Sequence, residues 1–319
     1  MASKDYVKIA RQYAANVMSG KIPACKWVKL AVGRQLDDLK TYSADRAVFV
    51  FDEGEANRVC RFIELLTHTK GELAGMRIKL EPWQIFILTT VFGWRRRDDG
   101  GRRYRRAYVE VPRGNGKSTL LSGVGLYCLV ADREGGAEVY SFATTRDQAK
   151  IVFGDAKVMA ERNAPLRNKF GLQVLANALY VPTSNSTFQA KSAEGSTLDG
   201  LNTHLAIIDE LHAHKTRAVY DVVETSTGKR KNSLMFVITT AGFDTSGICY
   251  EVRTMVTKVL EKSVVDETQF GIIYGLDEGD DWTTVEALEK ANPNWDISVR
   301  PEIITSLMKK AIALPSAVN

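Results

Sequence analysis

The sequence has few cysteines and no long apolar run. Its four cysteines, Cys25, Cys60, Cys128 and Cys249, are scattered through 319 residues without a CxxC pair, which excludes a disulfide scaffold and a zinc cluster. No apolar run reaches about 18 residues, and the N-terminus has the pattern of an amphipathic helix rather than of a signal peptide. These absences predict a soluble, cytoplasmic protein with no membrane segment.

A strong charge of either sign is also absent. Lysine and arginine together number 43 and the acidic residues 38, which gives a net charge of +5 at pH 7. This mild basic excess favours a position near a polyanion, but it also occurs in proteins that bind none. With 45% hydrophobic residues, the composition predicts a globular protein with a large core.

The pattern of apolar residues divides the chain into three parts. Residues 1–58 have apolar positions at helical spacing and are predicted to form a helical N-terminal appendage. In residues 59–245, apolar strands alternate with helices of about ten residues or more, which predicts an α/β core with a mainly parallel sheet flanked by helices. Residues 246–319 are predicted to form a small lid or linker subdomain.

The chain contains a phosphate-binding loop pattern with one irregular position. VPRGNGKST follows an apolar strand and opens a helix at Lys117, but Val111 stands where the usual pattern has glycine. Strand, loop and helix in this order aim backbone N–H groups and a helix dipole at a triphosphate, although a structural turn is the alternative. The predicted nucleotide-binding residues of the loop are Gly114, Asn115, Gly116, Lys117, Ser118 and Thr119.

An acidic pair follows the buried strand of HLAIIDELH. Asp209 is predicted to bind Mg²⁺ together with the Ser118 hydroxyl, and Glu210 to orient the attacking water. The alternative is an acidic helix N-terminus, which Asp and Glu also favour. His212 and His214 flank the pair, and their spacing is more typical of loop or cap residues than of metal ligands.

Two further segments are placed to contact a nucleotide. The strand FVITT ends in Thr239 and Thr240 and is followed by Gly242, which in a parallel sheet would lie beside the γ-phosphate and couple its presence to movement. In PWQ, the Gln84 amide is able to pair with the adenine edge and Trp83 to stack on the ring. Threonine in a strand and Trp83 in the core are the alternatives.

Together these segments resemble the large terminase subunit of tailed bacteriophages, the ATPase that pumps DNA into the procapsid. The matching segments are PWQ at 82–84, VPRGNGKS at 111–118, EGSTLDGL at 194–201, IIDELH at 207–212, TTAG at 239–242, DDWTTVEALEKANPNW at 280–295 and the closing ALPSAVN. Helicases share the first of these motifs but lack the last two segments.

The resemblance implies a P-loop NTPase fold of the RecA/ASCE type and the cofactors ATP and Mg²⁺. It makes Val111 a trait of the family, and it adds Arg113 to Lys117 and Glu210 as a catalytic residue that contacts phosphates. It supports Ser118 and Asp209 as the magnesium ligands. The roles of Glu210 with water, of Gln84 with adenine and of residues 239–242 in coupling are implied as well.

The resemblance also implies partners and a place of action. These are double-stranded DNA, the portal protein, the small terminase subunit and further copies of the chain in a ring, a pentamer when docked, in the host cytoplasm and transiently on the procapsid portal. Members of the family carry a C-terminal endonuclease domain that cuts concatemeric DNA. The chain ends where that domain should begin, so we expect the motor portion of a longer protein and no nuclease activity from this chain.

Several features stay open at this level. The basic stretch around an Asp-Asp-Gly-Gly turn predicts a contact with DNA, the portal or a neighbouring subunit, although a solvated hairpin has the same composition; its arginines are Arg95, Arg96, Arg97, Arg102, Arg103, Arg105 and Arg106. Arg217 and Arg230 are candidates for an arginine that reaches a neighbour's site. DEGDD at 277–281 is a weak candidate for a metal site. A DEAD/H helicase-like ATPase and a non-hydrolysing nucleotide-binding assembly protein are the competing functions.

Overall fold

The structure, a computed structural model, describes residues 4–143, 146–192, 200–214, 216–242 and 246–314. None of the helices in this part of the chain combines the length and apolarity needed to cross a membrane. In chain order the helices and strands are α1 (Tyr6–Met18), α2 (Lys26–Thr41), β1 (Phe49–Phe51), α3 (Glu53–Ile63), α4 (Pro82–Gly93), β2 (Trp94–Arg96), β3 (Arg106–Glu110), α5 (Lys117–Val130), β4 (Glu138–Ala143), α6 (Arg146–Arg162), α7 (Ala164–Phe170), β5 (Gln173–Val174), β6 (Leu179–Val181), β7 (Ser186–Ser192), β8 (Thr203–Asp209), α8 (Ala218–Ser226), β9 (Leu234–Thr239), α9 (Ile248–Leu260), β10 (Gln269–Ile273), α10 (Val285–Ala291) and α11 (Pro301–Ala313).

The main sheet has the strand order β10-β3-β9-β8-β4-β7-β6-β5 within the described residues. The six strands from β10 to β7 pair in parallel, and β6 and β5 continue the sheet antiparallel to β7. Strands such as β9 are buried along their whole length, as expected when helices flank a parallel sheet. The predicted α/β fold with a mainly parallel sheet is confirmed.

The registers of the central strands bring three chain segments to one edge of the sheet. Glu110 at the end of β3 is paired with Thr239 at the end of β9, and Asp209 at the end of β8 is paired with Ile238. Because these strands are parallel, the loops that follow them leave the sheet on the same side. The phosphate-loop residues, the acidic pair and the threonines therefore share one edge.

Segments outside the predicted core pack on it directly. β10, which belongs to the segment predicted as a lid or linker, pairs with β3 and extends the main sheet by one strand. α1 packs against α4, and α2 packs against β10. The division of the chain at residues 58 and 245 stays a prediction, while the sheet itself continues beyond residue 245.

Two arginines of the basic stretch lie inside the fold, so the prediction of a basic contact surface is wrong for Arg102 and Arg103. Arg102 and Arg103 are each only 1% exposed. Arg102 is 2.6 Å from Asp132, and Arg103 is 2.9 Å from Asp38 and lies over the ring of Phe49. Burial without these partners would be very costly for a guanidinium, so the pairs explain how both cations are tolerated.

Two further arginines of the stretch connect the start of β3 to α8 and to neighbouring loops. Arg105 donates hydrogen bonds to the carbonyls of Thr227 and Arg230 at 2.6 and 2.9 Å. Arg106 is 2.7 Å from both Glu224 and Asp266. Each of these contacts joins segments more than a hundred residues apart in the chain, so both arginines connect distant parts of the fold.

Candidate nucleotide-binding site

The loop between β3 and α5 has the backbone shape that its glycines predict. Gly114 and Gly116 have φ of +85° and +74°, a region that L side chains rarely adopt, and Gly116 caps the helix that Lys117 begins. Val111, the irregular residue, is fully buried and donates its N–H to the carbonyl of Thr239 at 3.0 Å. Val111 therefore extends the pairing of β3 with β9, a position in which an apolar side chain packs in the core.

Lys117 lies between the loop and the acidic pair. Its Nζ donates to the carbonyl of Val111 at 3.2 Å and is 3.6 Å from Oε1 of Glu210. Burial lowers the pKa of Lys117, and the negative charges of Glu210 and Asp209 oppose that shift. The ammonium group is therefore held by acceptors that follow two strands of the sheet, β3 and β8.

Asp209 and Glu210 leave the carboxyl end of β8 in different environments. Asp209 is largely buried, its Oδ1 has no hydrogen-bond partner within the described residues, and burial together with the charge of Glu210 raises its pKa to about 6. Glu210 has the left-handed φ of 53°, which is uncommon for a residue with a Cβ. An unpaired buried carboxylate oxygen beside a second carboxylate is suited to an oxygen-liganded cation such as Mg²⁺.

The end of β9 contacts the acidic pair. Thr240 Oγ1 donates to Oε2 of Glu210 at 3.3 Å, and Thr239 Oγ1 accepts from the backbone N–H of His212 at 3.2 Å. Gly242 packs against His212, because a Cβ at position 242 would lie only 2.9 Å from Cβ of His212. The structure thus brings together the residues predicted for water activation and for coupling.

A segment near the C-terminus closes the loop, and the sequence did not predict this contact. Asn115 is fully buried; its Nδ2 donates to Oδ1 of Asn292 at 3.0 Å and its Oδ1 accepts from the backbone N–H of Asn294 at 2.9 Å. Ser298 Oγ donates to the carbonyl of Gly114 at 2.6 Å. We call residues 292–299 the clasp, since they hold the phosphate loop from outside the sheet.

Trp83 and Gln84 lie in the first turn of α4, beside the loop. Trp83 is 2% exposed, its Nε1 donates to Oδ1 of Asn294 at 2.6 Å, and its ring meets that of Tyr274 edge-on, as a core residue does. Gln84 Oε1 accepts from the backbone N–H of Glu81 at 3.0 Å in a capping box. The Nε2 atom of Gln84 is 3.7 Å from where a Cβ on Gly116 would lie, so the amide reaches the phosphate loop.

The remaining predicted site residues differ in exposure. Arg113 is exposed, and Ser118 and Thr119 are half-buried in the first turn of α5. Arg217 is an exposed surface residue beside Asp221, whereas Arg230 is tied within its own chain to Glu134 at 2.8 Å and to nearby carbonyls.

The acidic loop at 277–281 and two segments of the resemblance were also named from the sequence. Asp277 and Asp280 of the acidic loop are both paired with Lys290, at 2.6 and 2.7 Å, as ordinary ion pairs. Most of EGSTLDGL and the final residues of the closing stretch lie outside the described residues.

Comparisons with known proteins agree with this geometry. Residues 82–258 match the family described as "Terminase large subunit, ATPase domain". The large terminase subunit of Enterobacteria phage HK97 is 31% identical over 187 residues, which cover 57% of this chain and 36% of that protein. Protein YmfN of Escherichia coli K12 is 47% identical over 113 residues, 35% of this chain and 25% of that protein.

A solved structure agrees as well. The crystal structure of the HK97 large terminase covers 82% of this chain with a TM-score of 0.71 and 25% sequence identity. The chain spans about half of that protein's length and less than half of the relatives above. Since the family match extends over more than half of the 319 residues, the chain belongs to the family of terminase large subunit ATPase domains.

Proposed function

We propose that this chain is the ATP-hydrolysing motor portion of a viral large terminase, which uses Mg²⁺-ATP to translocate double-stranded DNA into a procapsid. The observation that carries the proposal is the approach of Lys117 Nζ to within 3.6 Å of Glu210 Oε1, at the sheet edge where the phosphate loop begins. A phosphate-binding cation and a water-orienting carboxylate at the carboxyl ends of one parallel sheet are what ATP hydrolysis requires.

In the proposed site, the loop holds the triphosphate. The backbone N–H groups of residues 114–119 and the N-terminus of α5 would face the phosphates, with Lys117 and the exposed Arg113 contacting their oxygens. Gln84, beside Gly116, would read the adenine edge through its amide. The position of Trp83 in the core supports a packing role more than stacking on the base.

Mg²⁺ fits the residues proposed to bind it. Asp209 offers a buried oxygen without a hydrogen-bond partner in the described structure, and Ser118 offers a hydroxyl in the first turn of α5. Such a cation would neutralise charge on the phosphates. Glu210 would then accept a proton from the attacking water, and Thr239, Thr240 and Gly242 would couple the change to the strand end.

The proposal for the whole protein extends beyond this chain. Relatives named as large terminase subunits in phages HK97 and p2 support DNA as the substrate of translocation. A portal protein, a small terminase subunit and a pentameric ring of copies on the procapsid, in the host cytoplasm, complete the proposed assembly. An endonuclease activity that cuts concatemeric DNA is proposed for the full-length protein only.

The competing functions are less well supported. The family match favours a terminase motor over a DEAD/H helicase-like ATPase. A non-hydrolysing nucleotide-binding protein has no need of a carboxylate beside the phosphate-binding lysine. A measurement of ATP hydrolysis distinguishes this alternative from the proposed motor.

The test compares ATP binding and ATP hydrolysis in the wild type, Lys117→Ala and Glu210→Gln. We expect Lys117→Ala to lose both, and Glu210→Gln to bind ATP without cleaving it. Glu278→Gln is the matched control, because it makes the same chemical change at an exposed position of the acidic loop. Equal hydrolysis by all four proteins would refute the assignment of the site.

A further inference from the structure

His212 contacts both the proposed water-orienting carboxylate and the end of β9. Its Nδ1 lies 3.0 Å from Oε2 of Glu210, 3.0 Å from Oγ1 of Thr239 and 3.2 Å from Oγ1 of Thr240. The side chain is 20% exposed, so these contacts are largely shielded from water. From this geometry we infer that His212 is a positioning residue that orients Glu210 for hydrolysis; the inference rests on the proposed function.

The hydrogen bonds around the ring determine which nitrogen carries a proton. Thr240 Oγ1 donates its hydrogen to Oε2 of Glu210, and Thr239 Oγ1 donates its hydrogen to the carbonyl of Thr240 at 2.9 Å. Both hydroxyl oxygens therefore present only lone pairs to the imidazole, as the carboxylate does. Nδ1 must be protonated to satisfy them, and this tautomer is assigned from its partners.

The local backbone is arranged to hold the ring in this place. The N–H of His212 donates to Oγ1 of Thr239 at 3.2 Å, which fixes the short 3₁₀ turn that follows Glu210. Gly242 allows the close approach, since a Cβ there would lie 2.9 Å from Cβ of His212. The left-handed φ of Glu210 turns its side chain at the same point. Backbone and side-chain contacts thus agree on one orientation.

The two oxygens of the Glu210 carboxylate have different partners in this arrangement. Oε2 is held by His212 and Thr240, while Oε1 faces Lys117 at 3.6 Å. A carboxylate that accepts a proton from water must keep a fixed direction, and a neighbouring donor is a usual way to fix it. Without the imidazole, Oε2 keeps only the longer contact with Thr240 at 3.3 Å, so the carboxylate is held less firmly and turnover falls while ATP affinity changes little.

The experiment uses three substitutions that differ in where they place an amide. In His212→Asn, the amide nitrogen falls near the position of Nδ1, whereas in His212→Gln it falls near the position of Nε2. His212→Ala removes both. The kcat and KM for ATP, ATP affinity and the melting temperature are measured for each variant and for the wild type, with Glu210→Gln alongside.

We expect His212→Ala to lower kcat by about 100-fold, as a misplaced catalytic group does, with ATP affinity unchanged. His212→Asn should recover most of that loss, and His212→Gln should resemble His212→Ala. The comparison of Asn with Gln remains decisive if the alanine variant fails to fold, because a positioning role lowers kcat in the Gln variant at unchanged melting temperature and ATP affinity, whereas a purely structural role lowers the melting temperature.

Two results would overturn the inference. One is a wild-type kcat in His212→Ala, and the other is an equal rate in the Asn and Gln variants. Glu210→Gln separates this failure from that of the proposed function. If Glu210→Gln hydrolyses ATP at the wild-type rate, the proposed function is refuted; if it is inactive while every His212 variant has wild-type kcat, only the positioning role is refuted.

Discussion

Lys117 and Glu210 meet across the edge of the sheet, with Nζ 3.6 Å from Oε1, and the same ammonium donates to the carbonyl of Val111. The Val111 carbonyl follows β3 and the Glu210 carboxylate follows β8, whereas Lys117 itself opens α5. These two acceptors therefore direct the ammonium group toward the carboxyl ends of the strands. Burial lowers its pKa, so the protein bears a cost for keeping it charged there.

The first prediction concerns this cost. We expect Lys117→Met to abolish ATP binding but to change the free energy of unfolding by less than about 1 kcal/mol, because methionine replaces the apolar stem and removes a partly desolvated charge. Urea unfolding and ATP titration measure the two effects. A loss of stability above about 2 kcal/mol would show that Lys117 has a structural role in the fold.

The second prediction concerns Asp209. Its pKa is raised from 3.8 to about 6 in the folded protein, so folding favours the protonated form. The stability from this shift is fully present below about pH 4 and is lost as pH rises through about 6. We therefore expect Asp209→Asn to be more stable than the wild type at pH 7 by about 1 to 3 kcal/mol, and the gap to close near pH 4.

Magnesium provides the control for Asp209. Because a cation binds the ionised carboxylate, Mg²⁺ with ATP should raise the melting temperature of the wild type at pH 7 by more than that of Asp209→Asn, which keeps the phosphate loop but loses this ligand. The effect should weaken below pH 6 as the carboxyl protonates. An equal rise in both proteins would remove Asp209 from the proposed metal site.

The third prediction separates a structural arginine from an exposed one. Arg102→Ala removes one of the partners of Asp132, which is itself 2% exposed and also contacts His204 Nε2 at 2.8 Å, and should reduce stability by about 3 kcal/mol. Arg97→Ala, in the same basic stretch but exposed, should change stability by less than about 0.5 kcal/mol. Thermal unfolding of the two variants checks this, and equal effects would contradict the buried ion pair.

The fourth prediction concerns the clasp. Asn115→Ala leaves the Asn294 N–H without its acceptor and should reduce stability by about 1 to 3 kcal/mol. It should also weaken ATP binding, because the loop loses its contact with residues 292–299. Asn168→Ala, at an exposed position of α7, is the matched control. Wild-type ATP affinity in Asn115→Ala would show that the clasp does not shape the phosphate loop.

The sequence allows the sheet and the polar edge to be predicted for a clear physical reason. Apolar strands separated by helices require a parallel sheet, and parallel strands place Lys117, Asp209 and Thr239 at one edge whatever the details of packing. The position of β10 beside β3, in contrast, is not predictable from the apolar pattern. Its apolar residues predict a strand, but strand order is decided by contacts between distant segments.

The errors have a physical cause as well. A run of arginines has the same composition whether it faces water or carboxylates elsewhere in the chain, and Arg103 meets Glu267 from 164 residues away. Asn115 and Asn294 are polar residues without periodicity, so nothing local indicates that both are buried. His212 stands beside the acidic pair in the sequence, but its contact with Thr239 depends on the register of β8 and β9.

The clasp also has a consequence in time. The Asn115 side chain and the Asn294 backbone are 179 residues apart in the chain. At a synthesis rate of about 5 to 20 residues per second, about 10 to 40 seconds pass between the synthesis of the phosphate loop and that of the residues that close it. The strand and helix on either side of the loop are complete much earlier. The nucleotide site is therefore among the last parts of this chain to reach its final form.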